Sequence, residues 1–434
     1  MTFLELIDKK KKGIELSTDE YFYFINSLIN KQIPDYQAAA FLMAIYINGM
    51  SDEELFSLIK AMIDTSEIVS PIANNSLKIS IDKHSSGGVG DKVSLILSPI
   101  LAALGYDVVK LSGRGLSFTG GTIDKLESIG ISYEYNSKTF QNDLDKTNIV
   151  LMLQTDNIVP ADKILYALRN VTGTVDSFPL IAASIMSKKL VVKTDYIFLD
   201  IKVGEGAFLK TLDEAKQFSE LILKISRKFN RKTFIYLTRM SQPLGRAIGN
   251  AIEVKETIDF LQNKFHSQNL KDLIFQFCAD ILVKTNVCSN EAEAIQKVTA
   301  VIENNQAYEK FINYAQAFGS GNLAITNGTF FNPKYELKIY AKQSGFLSFK
   351  KVSEIGFIAN SLGAGRFKKG DEIDYHSGIK LHFDPNQYVN ENDIIATLYS
   401  SNPISNDIEQ RFLDNLIFHE QEPKLEQIII EKIQ

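Results

Sequence analysis

Apolar residues recur at helical spacing through the first part of the chain. The stretch "STDEYFYFINSLINKQI" opens with Ser17 and has Glu20 three residues later, which is the pattern of a capping box. "SDEELFSLIKAMIDTS" repeats this arrangement with Ser51 and Glu54, and "DYQAAAFLMAIYING" between them has small and apolar faces. The pattern predicts a helical region over residues 1–65.

The pattern then changes to short strands, each followed by a glycine-rich loop and a helix. "LKISID" alternates like a strand and runs into "DKHSSGGVGDKVS", while "DVVKLS" runs into "GRGLSFTGG". The helical segments "KVSLILSPILAALG" and "TIDKLESIG" follow these loops. Strand, loop and helix thus occur twice in succession. This is typical of an α/β fold whose loops lie at the carboxyl ends of neighbouring strands.

The rest of the chain predicts more of this fold and then a β-rich region. "PADKILYALRN" and "LIAASIMSKKL" have helical patterns, and "YIFLDIKVG" and "KTFIYLT" are candidate buried strands. After the loop or linker "FGSGNLAITNGTFFNP", short strands are predicted at "YELKIYA", "GFLSFK", "GIKLHF" and "DIIATLYS". We therefore expect a separate β-rich domain over residues 335–434.

Composition narrows the functional classes. A chain of 434 residues is too long for one core and predicts two or three domains. A net charge of −5 argues against a general nucleic-acid binder. No run of apolar residues is long enough to span a membrane and the N-terminus has no apolar signal core, so we expect a cytoplasmic protein with no membrane partner. Cys278 and Cys288 match no disulfide framework or metal motif and are interpreted as buried thiols.

The two glycine-rich loops predict an anion site. A glycine loop before a helix exposes backbone N–H groups, which bind anions. The nucleotide patterns fail, because Asp91 separates glycine from Lys92 in the first loop and Phe118 ends the second. Inorganic phosphate, held from two sides, fits better than a long cofactor. Hydroxyl and ammonium groups for it come from Lys83, Ser85, Ser94, Lys110, Ser112 and Thr122. The alternative is that the glycines only form tight turns.

His84 stands between two of these candidate phosphate ligands, Lys83 and Ser85. A lone histidine is often structural, but this position favours a catalytic role. Phosphate is already a nucleophile at neutral pH, so the group that needs help is a leaving group on the far side.

Several segments carry a resemblance to a known family. They are "DKHSSGGVGDKVS", "SGRGLSFTGGTIDKLES", "ADKILYALRNVTGTVDSFPLIAASIMSKK", "MSQPLGRAIGNAIEVKE" and "GFIANSLGAGRFKKGDEID". The chain closely resembles the thymidine and pyrimidine-nucleoside phosphorylases from its first helices to its C-terminal region. The second loop and its helix match the family's own signature. Anthranilate phosphoribosyltransferase shares the fold, but this chain has a further C-terminal domain and different loops.

The resemblance implies a pentosyltransferase that cleaves the bond between pyrimidine N1 and sugar C1′ with phosphate as co-substrate. The products are the free base and a (deoxy)ribose 1-phosphate, and thymidine, deoxyuridine and uridine are the candidate substrates. No cofactor is required. By motif match, phosphate is held by Lys83, Ser85, Ser94, Lys110, Ser112 and Thr122. The base is contacted by Leu116, Tyr166, Arg169, Ser184, Lys188 and Phe208.

The residues themselves support this assignment of the base site. Tyr166 and Arg169 are three positions apart on one predicted helix, and Ser184 and Lys188 are four apart on another, so each pair shares a helix face. Arginine, lysine and serine suit the two carbonyls and the N–H of a pyrimidine edge. The resemblance implies that His84, Arg169 and Lys188 are catalytic, because the departing base carries negative charge.

The chain departs from the family pattern at three places. Ser86 replaces a threonine of the first loop, and Ser117 and Phe118 replace Gly-His in the second. The resemblance also implies a monovalent-cation site, for an ion such as K⁺. Its matching positions are Gly90, Lys92, Leu244, Ala247 and Glu256. Here Lys92 stands where a hydroxyl ligand is expected, and its ammonium could pair with Glu256 and replace the ion.

Together these interpretations predict an α/β protein with a small helical domain, a large α/β domain with a central mixed sheet, and a C-terminal α+β domain. The helical domain comprises residues 1–65 and 162–193, and the phosphate-binding domain comprises residues 66–161 and 194–330. The resemblance implies a homodimer joined through the helical domain. Two alternatives stay open: a phosphoribosyltransferase of the same fold, which needs magnesium and a pyrophosphate site, and a non-catalytic nucleoside-binding protein.

Overall fold

The computed structural model describes residues 2–71, 78–115, 120–264, 267–319, 325–366, 371–424 and 426–434. Its N-terminal region is helical, as the apolar pattern predicts. Capping boxes begin the first, second and fourth helices, with Thr2, Ser17 and Ser51 as the capping residues. The N-terminal helices are α1 (Phe3–Lys11), α2 (Thr18–Ile29), α3 (Asp35–Asn48) and α4 (Asp52–Asp64).

Strands and helices alternate in the middle of the chain. The elements are β1 (Ser80–Ser85), α5 (Val93–Ala103), β2 (Asp107–Ser112), α6 (Thr122–Glu127), α7 (Phe140–Thr147), β3 (Ile149–Leu153), α8 (Pro160–Thr172), α9 (Phe178–Val191), β4 (Tyr196–Val203), α10 (Leu212–Lys228), β5 (Lys232–Arg239), β6 (Ala247–Gly249), α11 (Ala251–Leu261), α12 (Gln268–Lys284), α13 (Glu291–Glu303) and α14 (Gln306–Ala317).

Short strands dominate the C-terminal part, as predicted. The elements are β7 (Tyr335–Tyr340), β8 (Gly345–Phe349), α15 (Val352–Leu362), β9 (Gly378–Leu381), β10 (Tyr388–Val389), β11 (Ile394–Ser400), α16 (Asn406–Asp414), β12 (Leu416–His419) and β13 (Ile429–Ile433). Strands β7, β9 and β11 form an antiparallel sheet with β6 in the order β6-β9-β11-β7, and the other three of β7–β12 form a smaller one in the order β10-β8-β12. Strand β13 pairs with β5 instead, so the C-terminal region is not as separate from the α/β domain as its predicted bounds of 335–434 imply. The predicted linker lies partly outside the described residues, which resume at Ile325.

The strand order of the central sheet reverses beside the first glycine-rich loop. Its order is β13-β5-β4-β1-β2-β3, and all neighbours are parallel except β13 and β5. The chain runs outward from β1 to β2 and β3 in one direction and from β4 to β5 in the other. Open α/β sheets bind ligands where the strand order reverses, outside the carboxyl ends of the strands. Here that crevice lies beyond Ser85 and its register partner Asp200.

Helices α8 and α9 return from the sheet and pack against α2, α3 and α4. The segments that cross between the two lobes are bonded to one another. Val69 pairs with Val192 in a parallel bridge, and Glu67 N donates to Asn157 O at 2.8 Å. Val159, at the start of α8, is buried and has φ 49°, a conformation that is strained for a β-branched residue.

In the described part of the chain, no helix is long and apolar enough to cross a membrane. Cys278 and Cys288 are buried free thiols, as expected from their number and spacing.

Candidate active site

Buried charges cluster at the carboxyl end of β1. Lys83 Nζ lies 3.2 Å from Oδ2 of Asp200 on the adjacent strand β4, and Lys202 Nζ lies 2.8 Å from the same oxygen. Thr238 on β5 donates to Oδ1 of Asp200 at 2.5 Å. All four residues are almost fully buried. Two ammonium groups therefore converge on one carboxylate, and the carboxylate of Asp91, which interacts electrostatically with both lysines, adds a second negative charge nearby. An anion at this end of the sheet would meet both ammonium groups.

The first glycine-rich loop connects this cluster to helix α5. Asp91 accepts a short hydrogen bond from the hydroxyl of Ser85 and another from the backbone N–H of Val93, 3.2 Å away. The hydroxyl of Ser85 also accepts from Gly87 N at 3.2 Å. Ser94, in the first turn of α5, is buried beside the loop. The loop thus places two hydroxyl groups and a helix N-terminus at the carboxyl end of β1.

The neighbouring strand β2 contributes the second half of the predicted phosphate site. Lys110 Nζ donates to the carbonyl oxygen of Lys83 at 2.9 Å, and burial, followed by the charge of Lys189, holds the pKa of Lys110 well below its usual range. The hydroxyl of Ser112 is buried and has no partner among the described residues. Thr122, the first residue of α6, is half-buried. Ser112 therefore offers an unused hydroxyl close to the buried lysine side chains of β1 and β2.

His84 lies between the phosphate-side residues, and its Nδ1 is buried without a partner in the described structure. Burial is the main cause of a pKa well below the usual value, and four nearby ammonium groups lower this pKa further. These belong to Lys189, Lys110, Lys188 and Lys83. The imidazole is therefore neutral near pH 7, with one ring nitrogen as a donor and the other as an acceptor. Lys188 comes from helix α9, so both lobes face His84.

Asp82 and Lys189 form an ion pair that the sequence motifs did not indicate. Lys189 Nζ lies 3.0 Å from each carboxylate oxygen of Asp82, and both side chains are fully buried. This pair connects α9 of the helical lobe to β1. The sequence contains one signal for such a pair, because Lys188 and Lys189 lie at the end of an apolar helix. A lysine that is buried there requires a buried acid as its partner.

Arg169, a predicted base ligand, is buried rather than exposed on α8. Its Nε donates to the carbonyl oxygen of Thr174 at 3.1 Å, and Nη1 donates to that of Leu180 at 3.0 Å. Nη2 donates a short bond to Val175 O. The guanidinium thus orders the segment between α8 and α9. A guanidinium has five N–H groups, so these three bonds leave donors for a ligand.

Ser184 and Lys188 lie together on α9, as their spacing predicts. Lys188 Nζ donates to the hydroxyl and to the carbonyl oxygen of Ser184, both at 3.0 Å, and forms a short ion pair with Asp162. Tyr166 and Phe208 are 41% and 42% exposed, which leaves their rings available for a ligand. Leu116, Ser117 and Phe118 lie outside the described residues.

The positions matched to a monovalent-cation site converge, with Lys92 at their centre. Lys92 Nζ contacts Gly90 O at 2.7 Å, Leu244 O at 2.6 Å and Glu256 Oε2 at 2.9 Å. Ala247 approaches through its backbone N–H, which donates to Glu256 Oε2 at 2.9 Å. An ammonium group therefore lies where the resemblance implies an ion.

Models of known families match three parts of the chain. A helical bundle domain of a glycosyl transferase family matches residues 4–66, and an α/β domain of that family matches residues 77–308. A pyrimidine nucleoside phosphorylase C-terminal domain matches residues 346–418. These matches follow the helical, α/β and C-terminal parts of the structure, and they confirm the predicted fold class.

Named relatives cover nearly the whole chain. A thymidine phosphorylase of Mycoplasmoides pirum is 49% identical, with 94% of this chain and 97% of the relative aligned. A pyrimidine-nucleoside phosphorylase of Staphylococcus haemolyticus is 41% identical over 96% of each chain.

Among solved structures, anthranilate phosphoribosyltransferase from Thermus thermophilus is similar. Its TM-score is 0.57 at 14% identity, over 72% of this chain and 99% of that one, which shows a shared fold alone. The family models and the relatives together identify the chain as a member of the thymidine and pyrimidine-nucleoside phosphorylase family.

Proposed function

We propose that the protein catalyses the phosphorolysis of pyrimidine nucleosides. The N1–C1′ bond breaks, an oxygen of hydrogen phosphate bonds to C1′, and the base takes up the proton that the phosphate loses. The products are the free base and a (deoxy)ribose 1-phosphate. Thymidine and deoxyuridine are the proposed substrates, together with uridine. The observation that carries this proposal is the group of buried lysines and unused polar atoms where β1 and β2 end.

Phosphate would occupy the crevice at the carboxyl ends of β1 and β2. Lys83 supplies charge there, and the hydroxyl of Ser112 can donate to a phosphate oxygen without losing a bond it already makes. Ser85 would have to exchange its bond to Asp91 for one to phosphate, whereas the hydroxyl proton of Ser112 is already unused. Preorganised donors of this kind stabilise developing charge without reorganisation cost during the reaction. Ser94, Lys110 and Thr122 complete the proposed phosphate ligands.

The base would lie between α8, α9 and His84. As C1′ becomes oxocarbenium-like, negative charge moves onto the pyrimidine ring. Arg169 and Lys188 would stabilise that charge at the base oxygens, where their effect is larger in the transition state than in the ground state. Lys188 would have to exchange one of its bonds to Ser184 or Asp162 for the bond to the base. Because the pKa of His84 is held low, it acts as a neutral hydrogen-bond donor to the base carbonyl nearest the sugar. Ser184, Tyr166, Phe208 and Leu116 are the proposed further contacts.

The reaction requires the two lobes to approach each other. Phosphate oxygen and C1′ must come within about 3–3.5 Å for bond formation. The proposed hinge consists of the crossing segments at residues 68–75, 159–162 and 191–195, of which 72–75 lie outside the described residues. Phosphate with a base analogue should reduce the radius of gyration in solution scattering. An unchanged radius, with both ligands shown to bind, would contradict closure.

We infer that the helical lobe forms a homodimer interface. Large apolar side chains are exposed on three of its helices: Leu4 on α1, Tyr36 and Ile47 on α3, and Val171 on α8, where Ile47 is 71% and Val171 80% exposed. Helix α3 packs against both α1 and α8, so these residues belong to neighbouring elements. An exposed apolar surface of this kind is typical of an interface. Val171→Glu should shift the mass measured by light scattering from dimer toward monomer, and a monomeric wild type would contradict the inference.

The assay for the function is release of thymine from thymidine as phosphate is varied, with a chelator present to remove magnesium. Saturable, phosphate-dependent release is expected, with 2-deoxyribose 1-phosphate as the second product. Uridine and deoxyuridine at the same phosphate concentration would establish the substrate range.

Two other results would contradict the proposal in different ways. Activity that requires magnesium and a pyrophosphate-bearing sugar would indicate a phosphoribosyltransferase. Nucleoside binding by calorimetry without any product would indicate a binding protein. His84→Phe is the matched variant, because a phenyl ring has no N–H donor and fills a similar volume while the lysines around it stay in place. It should lower kcat more than it changes the KM for phosphate.

A further inference from the structure

Lys92 lies at the centre of a buried cage of oxygen atoms. Its side chain is fully buried, and its Nζ meets Gly90 O, Leu244 O and Glu256 Oε2 at 2.7, 2.6 and 2.9 Å. An ammonium group has three N–H donors, and each of them has an acceptor here. The single negative charge of Glu256 balances its positive charge. The ammonium is therefore satisfied both in hydrogen bonds and in charge.

The backbone around Lys92 leaves room for this cage. Gly90 has φ 76°, and a Cβ on it would lie 2.6 Å from Leu244 O. Gly245 also has φ 76°, and a Cβ there would lie 2.8 Å from Lys92 Nζ and 2.7 Å from Glu256 Oε2. Only glycine combines this conformation with such close approach. The two glycines let the chain close tightly around a cation.

Glu256 is itself fixed by the backbone it faces. Arg246 N donates to its Oε1 at 2.7 Å, and Ala247 N donates to its Oε2 at 2.9 Å. These bonds hold the carboxylate toward Lys92. The Nζ atom of Lys92 itself occupies the centre of the cage, where it contacts two carbonyl oxygens and the carboxylate. No space remains there for a metal ion. The residues present therefore do not fit a bound monovalent ion.

We propose that Lys92 is a built-in cation that replaces a monovalent metal ion in this protein. The cage joins the glycine-rich loop that carries Ser85 and Asp91 to the segment before α11. The ammonium thus stabilises the loop from within the chain, and the protein gains nothing from potassium. Shortening the side chain should convert the cage into a site that takes up a monovalent cation from solution. This inference concerns the stability of the fold and does not depend on the assignment of the reaction.

The first test uses the unmodified protein. Tm and activity are measured at equal ionic strength in potassium, ammonium and tetramethylammonium chlorides, the last of which is too large for the cage. We expect equal Tm values and rates within about twofold, since surface screening is the same in all three salts. A saturable rise in Tm or rate with potassium would overturn the proposal without any substitution.

The second test removes the ammonium group and leaves the oxygen cage empty. Lys92→Ser should lower Tm by roughly 5 °C or more in tetramethylammonium, because Glu256 and two buried carbonyls lose their partner. Potassium or ammonium should restore at least half of the loss in a saturable way. Lys92→Met removes the charge but fills much of the volume, so its Tm should fall without recovery in any salt.

Lys10 provides a matched control in the helical lobe. It is equally buried, and its Nζ donates to both oxygens of Glu54, at 2.8 and 2.7 Å, but to no backbone carbonyl of the described residues. Lys10→Ser should therefore lose stability without recovering it in potassium. Equal recovery in the Lys10 and Lys92 serine variants would indicate a general salt effect and would overturn the proposal. If Lys92→Ser does not fold, its refolding yield is measured instead. A yield that rises with potassium would support the proposal, and a yield that is the same in all three salts would overturn it.

Discussion

Replacing Lys83 by alanine separates the role of this lysine in phosphate binding from its role in the fold. Its ammonium is one of two that share Asp200, at 3.2 Å, while Lys202 lies closer, at 2.8 Å. Without Lys83, Asp200 still has Lys202 and the hydroxyl of Thr238. The loss of stability should therefore be smaller than the about 3–5 kcal/mol that follows when a buried charge loses its only partner.

The catalytic effect should be larger than the effect on stability. Removing one preorganised donor from a charged transition state costs about 2.7–4 kcal/mol. At about 1.36 kcal/mol per factor of ten, this corresponds to a loss of roughly 100- to 1000-fold in kcat/KM for phosphate. Lys83→Met should show a similar loss with better stability, because methionine fills most of the buried volume that alanine would leave empty.

The assay is the initial rate of thymine release at saturating thymidine and varied phosphate. Lys10→Met is the control, because it removes a buried ammonium far from the sheet and should lower Tm with kcat/KM for phosphate unchanged. A Lys83→Met enzyme within about threefold of the wild type would refute the argument that this ammonium acts on phosphate. Equal losses in the Lys83 and Lys10 variants would attribute the effect to folding.

Further predictions concern three other buried groups. The pKa of His84 is held well below its usual value of about 6.5, so below that pH the unfolded chain binds a proton that the folded chain does not. Acidification to about pH 5.5 should therefore destabilise the wild type more than His84→Gln in urea unfolding, by up to about 1.4 kcal/mol per pH unit, and parallel losses would contradict this. Asp200→Asn should lower the free energy of unfolding by about 3–5 kcal/mol, because Lys83 and Lys202 lose their shared carboxylate. Phosphate should raise the Tm of this variant more than that of the wild type. A variant with the Tm of the wild type would refute the argument that Asp200 balances these two ammonium groups. Arg169→Lys should lower kcat/KM for thymidine more than tenfold, about 1.4 kcal/mol, because lysine cannot make the separate bonds of a guanidinium; unchanged kinetics would exclude Arg169 from the site.

Local signals made the phosphate side of the site predictable. A strand that ends in a glycine-rich loop before a helix is specified by neighbouring residues, so "DKHSSGGVGDKVS" already indicated where Lys83 and Ser85 would lie. The second such segment indicated Lys110 and Ser112 for the same reason. Parallel strands bring their carboxyl ends to one edge, and the structure brings these four residues together there.

Long-range ion pairs were not predictable in the same way. Asp200 and Lys202 stand inside "YIFLDIKVG", a buried strand candidate, and charges within a buried strand indicate that partners must exist. The sequence does not say which partners, because Lys83 lies more than a hundred positions away and meets Asp200 only through the order of strands. The last strand, β13, was missed for a related reason. Its pairing with β5 depends on where the C-terminal part of the chain returns.

The two adjacent lysines of α9, Lys188 and Lys189, bear on how the two lobes would close without breaking a buried ion pair. Lys189 is held by Asp82 on β1, next to the bridge between Val69 and Val192, so this end of α9 lies at the proposed hinge. Groups near a hinge move little, and a buried ion pair there can persist while the lobes rotate. Arg169 is anchored farther from that point, on the segment between α8 and α9, and would move more. Rotation about the Asp82–Lys189 pair would therefore carry the base toward phosphate without exposing a buried charge to solvent.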